Sequence, residues 1–203
     1  MEGQQASFLL LNQQSWNNEK EKFIFAKDRK PMMERKAKME QKSKRDKLEQ
    51  IIYAADSKRR EAQSAKDYAN QFSDMTSSFK SFSKATNELT ALNSKFNKAR
   101  KRNYSDDKLT RIYQMLKRQF TQSSQYFTLV ASALQAWDKM DNNFRKAAQS
   151  GIDKEYFTKA LNLKDSGYRA LQAEQFSVAT QKFIQARKDI DDIIANYQNS
   201  KSK

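Results

Sequence analysis

The chain has 203 residues, of which 37% are apolar and 11% aromatic, and its formal net charge is +15. It contains no cysteine and no histidine, which excludes disulfides, the usual zinc, haem and iron–sulfur ligand sets, and catalysis by either side chain. Residues 32–150 contain neither glycine nor proline, and because tight turns depend on these residues, the composition indicates an all-α protein.

The N-terminal segment carries a short apolar pattern. Leu9, Trp16 and Phe23 follow one another at intervals of seven residues, which places them near one face of a helix. The spacing predicts an amphipathic helix or arm over residues 1–30. We expect Pro31 to end or kink this helix, because proline lacks the backbone N–H and its ring clashes with the preceding turn.

A second apolar pattern lies in residues 32–102. Large side chains recur every seven residues at Met75, Phe82, Leu89 and Phe96, a spacing typical of helices that pack along a seam. Two interpretations of this row stay open: it is a seam that binds a protein partner, or it is the core of the chain itself. Whether residues 32–102 form one helix or two that fold back on each other is also open.

Another long helix is expected from Asp106 to Gln149. Ser105 suits the N-cap, the aspartates in the first turn favour the helix dipole, and Gly151 suits the residue after the helix end. The stretch from Gln119 to Trp137 has no charged side chain. Its glutamines, serines and threonines make membrane insertion costly, so that a buried central helix is the expectation.

The rows of this helix also repeat every seven residues. They include Leu109, Tyr113, Leu116, Phe120, Phe127, Val130 and Leu134. Two such helices joined by a short connection predict an antiparallel hairpin over residues 32–150. We expect the rows within residues 72–96 and 109–134 to face each other.

Residues 152–203 predict a second helical hairpin. Asp153 can cap a helix that runs to about Leu171, the residues Gln172–Gln175 suit a turn, and a last helix should run from Phe176 to Tyr197. The expected fold is therefore an elongated antiparallel bundle or coiled coil that ends in a C-terminal hairpin.

Part of this hairpin, residues 159–191, resembles a tetratricopeptide repeat. The repeat pattern is W-x2-L-G-x2-Y, then A-x3-F, then P. Its positions fall on Leu163, Ser166, Gly167, Ala170, Ala179, Phe183, Ala186 and Asp191. Gly167, Ala179, Phe183 and Ala186 fit the pattern and are the residues expected to pack the two helices together. Leu163, Ser166, Ala170 and Asp191 depart from it, and a generic antiparallel hairpin remains the alternative. The resemblance implies binding of proteins.

Positive charge is concentrated in two segments. Residues 20–66 carry 16 basic and 8 acidic side chains, and residues 80–118 carry 11 basic and 3 acidic ones. Polybasic surface attracts phosphates without reading sequence. The residues expected to contact nucleic acid are Lys98, Arg100, Lys101 and Arg102, with Tyr104 and Tyr113 nearby to stack on bases. The alternative is a solvated helix face.

No phosphate-binding loop, nucleophile elbow or paired-carboxylate motif occurs, so we expect a protein that is not an enzyme and has no cofactor. The leading hypothesis is a helical scaffold or adaptor that binds protein partners, a second copy of the chain among them, within a larger assembly. The alternative is a basic structural protein of nucleic-acid packaging or of a virion. A membrane-active helical toxin is the third hypothesis.

The expected location is the cytoplasm. The apolar run from Phe8 to Leu11 is too short for the apolar core of a signal peptide, and no basic residues precede it. A component of an exported assembly or of a virion is the alternative. Contact with a membrane is not expected.

Overall fold

The computed structural model describes the backbone of residues 2–201 and the side chains of residues 32–200. Its helices are α1 (Glu2–Ala69), α2 (Ser73–Thr76), α3 (Lys80–Lys101), α4 (Asp106–Gln149), α5 (Thr158–Gln172) and α6 (Phe176–Lys201), with single 3₁₀ turns at Asn70–Phe72 and Lys154–Phe157. The described residues contain no strand, which confirms the all-α class. The apolar pattern of Leu9, Trp16 and Phe23 lies outside the described side chains.

The chain divides into two units, residues 1–50 and residues 51–203. The first unit consists of the N-terminal part of α1, and the described side chains of residues 32–47 are exposed. Helix α1 continues through Pro31, where we expected an end or a kink. The lysines, glutamates and methionines that follow Pro31 all favour helix, which opposes the cost of the lost hydrogen bond and of the proline ring.

In the second unit, the helix is interrupted near residues 70–79. Residues 32–102 as a whole contain no glycine or proline. Thr76 Oγ1 donates to the carbonyl of Ser73 at 3.3 Å, Ser77 Oγ to that of Asp74 at 3.2 Å, and Ser78 Oγ to that of Met75 at 2.7 Å. Short hydroxyl side chains of this kind compete with helical backbone bonds. The break therefore places Met75 on α2, apart from the row on α3.

Helices α3 and α4 form an antiparallel hairpin whose apolar rows face each other, as predicted. The ring centroids of Phe82 and Phe127 are 5.4 Å apart, and those of Phe96 lie 5.3 Å from Tyr113 and 6.2 Å from Phe120. The edge-to-face geometry of these pairs adds to the burial of their apolar area. On α1, the Arg59 guanidinium lies 5.3 Å from the centre of the Phe96 ring. The core of this end of the unit is thus aromatic.

The C-terminal half of α4 packs against the second hairpin. Helix α6 contacts both α5 and α4. The Trp137 indole N–H donates to the Tyr168 hydroxyl at 2.5 Å, and the rings of Phe144 and Phe157 lie 6.3 Å apart. The uncharged part of α4 is buried at Phe127, Val130, Ala131, Ala133 and Leu134, which confirms the buried central helix. Among the described helices, none is both long and apolar enough to cross a membrane.

The α5–α6 turn ties the second hairpin to the start of α3. Glu174 adopts a positive φ of 56°, and its carboxylate accepts from the backbone N–H of Lys80 at 2.9 Å and of Ser81 at 3.1 Å. These are the first two amides of α3, which have no partner within their own helix. Next to this bond, the rings of Phe79 and Phe176 lie 5.4 Å apart.

Candidate nucleic-acid interface

The predicted basic cluster lies at the tip of the α3–α4 hairpin. Lys98, Arg100 and Lys101 are in the last turn of α3, where cations favour the helix dipole, and Arg102 begins the connection to α4. All four side chains are exposed. The α4 side of the connection begins with the exposed acids Asp106 and Asp107. Ser105 occupies the N-cap position as predicted, but its side chain makes no capping hydrogen bond.

The basic side chains of residues 80–118 are all exposed and lack a carboxylate partner in the described structure. These side chains are Lys80, Lys84, Lys95, Lys98, Arg100, Lys101, Arg102, Lys108, Arg111, Lys117 and Arg118. Within the part of the chain that the structure describes, none of them forms an ion pair with a carboxylate. We call this set the basic surface. Its charge is free to attract an external anion.

In the other basic segment, two of the described acids pair with neighbouring bases. Asp56 accepts from Arg59 at 2.8 Å and from Arg60 at 2.9 Å, and Lys58 lies 2.6 Å from Glu61. Partial burial opposes the charge of Asp56, but the hydrogen bonds and charges of the two arginines outweigh it and lower the pKa of this carboxyl. Arg59 and Arg60 therefore already have a carboxylate partner.

Tyr104 lies between two cations of the basic surface. Arg102 Nη1 donates to its hydroxyl at 2.7 Å, and Lys108 Nζ lies 4.3 Å from the centre of its ring. The hydrogen bond from Arg102, followed by the charges of Arg102 and Lys108, lowers the pKa of Tyr104. Arg102 and Lys108 therefore contact the Tyr104 side chain that we expected to be available for stacking on a base.

The prediction that Tyr113 stacks on bases is wrong. Its side chain is only 1% exposed and packs edge-on against Phe96, because it belongs to the apolar row of α4. Burial raises the pKa of its hydroxyl. The basic surface therefore offers exposed cations without a free aromatic platform from either tyrosine.

The basic surface continues along α4 through residues that the sequence analysis did not single out. Lys108, Arg111 and Arg118 are exposed and follow one another at intervals of three and seven residues, which places them on one face of the helix. This helical spacing was the signal that could have identified them. The basic surface thus extends from the tip along α4.

The predicted partner-binding seam is filled by the chain itself. Phe82, Leu89 and Phe96 are 6%, 1% and 2% exposed, and Phe82 and Phe96 contact rings of α4. Met75 lies on α2 and is partly buried. The assignment of this row to a partner is corrected: α4 covers it, because both helices carry apolar rows of the same period.

The predicted packing residues of the second hairpin are buried. Gly167, Ala179, Phe183 and Ala186 all lie in its interior, and a Cβ at Gly167 would be 2.5 Å from a ring carbon of Phe183. The hydrogen atom of Gly167 therefore allows the Phe183 ring to lie against α5. Phe176, at the start of α6, contacts Phe79 and Tyr126.

The described residues hold no group of three or more carboxylate, histidine or cysteine side chains placed to bind a metal ion. In comparisons with known proteins, no family model matches the chain, and no curated protein or solved structure is significantly similar to it.

Proposed function

We propose that the protein is a non-enzymatic structural protein that binds the phosphates of nucleic acid through the basic surface of the α3–α4 hairpin. One observation carries this proposal: every basic side chain of residues 80–118 is exposed, and none forms an ion pair with a carboxylate of the described chain. On α1, by contrast, the bases at residues 58–60 are paired with Asp56 and Glu61.

The expected mode of binding is electrostatic. Lysine and arginine side chains that neutralise phosphates release condensed counterions, and the binding constant then falls steeply with salt. Tyr113 is buried, and the ring of Tyr104 is in contact with Lys108. The contacts are therefore to the phosphate backbone, which fixes position on the nucleic acid but reads no sequence.

The test is fluorescence anisotropy of labelled duplex and single-stranded DNA with the purified protein, at low and near-physiological salt. We expect binding that persists at near-physiological salt. In the variant Arg100→Ala, Lys101→Ala, Arg102→Ala, the slope of log K against log salt on duplex DNA should fall by about two to three, because each lost phosphate contact contributes about 0.9.

A charge-matched control is Lys139→Ala, Lys146→Ala, Lys188→Ala, since these lysines are also exposed and unpaired in the described structure. It should leave the slope closer to that of the wild type. An equal loss in both variants would mean that net charge alone drives binding. Binding seen only at low salt would refute the proposal.

The second candidate is a helical scaffold or adaptor for protein partners in a larger assembly. It is favoured by the close crossing of α5 and α6 at Gly167 and Phe183, which is the packing that the resemblance to a tetratricopeptide repeat implies. Repeats of this kind need neighbours to bury their apolar faces, and α4 lies against α6 in that role. The same titration separates the candidates, because an adaptor of this kind does not require DNA binding at near-physiological salt.

A further inference from the structure

A groove of about 470 Å³ lies between α3 and α4. Its walls are formed by α3 from Ser81 to Lys95 and by α4 from Gln119 to Tyr126. Helix α1 contributes none of the residues that line it, although α1 approaches the same hairpin elsewhere, with Arg59 over the ring of Phe96. The groove is therefore a face of the hairpin that α1 leaves open.

The α3 wall carries a defined charge pattern. Lys84, Glu88 and Lys95 all line the groove, and their spacing of four and then seven residues places them along one helical face. Each is exposed, and none forms an ion pair within the described structure. The wall thus presents positive, negative and positive charge in order, with no acid or base of the chain paired to it.

The rest of the groove suits the close approach of a helix. Ala85, Ala91 and Leu92 give it a lining of small and apolar side chains, which permit close packing of a third helix on a pair. On the α4 wall, Gln119, Gln122 and Ser123 add uncharged polar side chains.

We propose that this groove binds a helical segment of a protein partner that presents acid, base and acid at the spacing of Lys84, Glu88 and Lys95. The pattern favours a protein over nucleic acid, because Glu88 would lie against phosphates but can pair with a lysine or arginine of a helix. The proposal goes beyond nucleic-acid binding and does not depend on it.

The probe is a labelled synthetic peptide, stabilised as a helix, with Glu, Lys and Glu at those spacings. Fluorescence anisotropy should show that the wild-type protein binds it and that Lys84→Glu, Lys95→Glu weakens binding about tenfold, since two exposed ion pairs become two repulsions. A second peptide, with both glutamates replaced by lysine, should bind this variant and not the wild type. Both substituted lysines are exposed, so the helical circular dichroism signal should not change.

Failure of the wild type to bind the first peptide, or equal binding by wild type and variant, overturns the proposal. The binding of alanine variants to duplex DNA is also measured by fluorescence anisotropy. If Lys84→Ala, Lys95→Ala weakens DNA binding more than the charge-matched tip variant Arg100→Ala, Lys101→Ala does, the groove belongs to the nucleic-acid interface and the proposal is again overturned. If only the tip variant loses DNA binding, the groove and the nucleic-acid interface are separate, and peptide binding by the groove supports the proposal.

Discussion

Gly167 allows the second hairpin to pack as it does. A Cβ at this position would lie 2.5 Å and 2.7 Å from two ring carbons of Phe183, closer than carbon atoms approach without contact strain. The ring cannot move aside easily, because Phe183 is fully buried and packs edge-on against Tyr168 at 5.9 Å. The absence of a side chain at one residue therefore sets the distance between α5 and α6.

The substitution Gly167→Ala should destabilise the protein. Alanine favours helix over glycine by about 1 kcal/mol, but overpacking a buried site costs about 1–3 kcal/mol, and the contact with the Phe183 ring makes the second effect larger. Urea unfolding followed by circular dichroism should show a net loss of about 1 kcal/mol in the free energy of unfolding. In a Phe183→Leu background, the same substitution should be neutral or stabilising. A Gly167→Ala variant that is more stable than the wild type would contradict the close contact between Gly167 and the Phe183 ring.

At the scale of elements, the α5–α6 turn explains why an acid occupies a strained position. The N–H of Gln175 donates to the carbonyl of Ala170 at 2.8 Å and that of Glu174 to Leu171 at 3.0 Å, a pattern that requires a left-handed residue and usually selects glycine. A glutamate there costs about 1 kcal/mol. Its carboxylate, however, accepts from the first amides of α3, so the strain is offset by a long-range cap.

Replacing Glu174 tests this cap. Glu174→Ala keeps the backbone strain and removes the carboxylate, so it should cost about 1 kcal/mol and speed hydrogen exchange at the Lys80 and Ser81 amides about fivefold. Glu174→Gly removes both the cap and the strain. It should therefore speed exchange at the same amides with a smaller change in overall stability. Unchanged exchange at Lys80 in both variants would show that the carboxylate is dispensable.

Local signals in the sequence were sufficient for some elements and not for others. The bounds of α4 were predicted correctly because an N-cap residue, first-turn acids and Gly151 mark its ends. Gly151 indeed adopts a positive φ of 71°. Whether residues 32–102 contain a break stayed open, because the break at residues 70–79 depends on which hydroxyls bond to the backbone. The cap of α3 by Glu174 joins residues 94 positions apart, and no local pattern reports such a contact.

The candidate interface was predicted in part. The cluster from Lys98 to Arg102 is evident as a basic run, and its exposure follows from its place at a helix end. Tyr113 was misassigned because its position in a basic segment suggested stacking, while its position in an apolar row determined its burial. Which basic residues keep free charge depends on neighbours in space, as Asp56 shows for Arg59 and Arg60.

At the scale of the whole molecule, the ion pairs of the described residues lie on α1, α4 and the second hairpin. Three acids of α4 and the second hairpin have basic partners, as in Lys159 with Asp189 at 3.0 Å and Lys164 with Asp141 at 3.7 Å. The basic surface has none in the described part of the chain. Like charges about 10 Å apart in water repel by about 0.4 kcal/mol, so the basic surface opposes the fold to which it belongs.

Added salt should therefore stabilise the protein. Screening acts on the exposed, unpaired cations, because the Debye length falls from about 30 Å at 0.01 M salt to about 3 Å at 1 M. The urea midpoint should rise with sodium chloride. The corresponding increase in the free energy of unfolding is about 1 kcal/mol. The variant Arg100→Ala, Lys101→Ala, Arg102→Ala should show a smaller rise. A midpoint that falls with salt would mean that screening of the ion pairs outweighs relief of the repulsion.

The cap on α3 also has a consequence for the order of events at the ribosome. Lys80 is synthesised 94 residues before Glu174, and at about 5–20 residues per second the carboxylate arrives about 5–20 s later. During that interval the first amides of α3 lack the carboxylate that caps them in the folded chain. The beginning of α3 is therefore completed only by the last quarter of the chain.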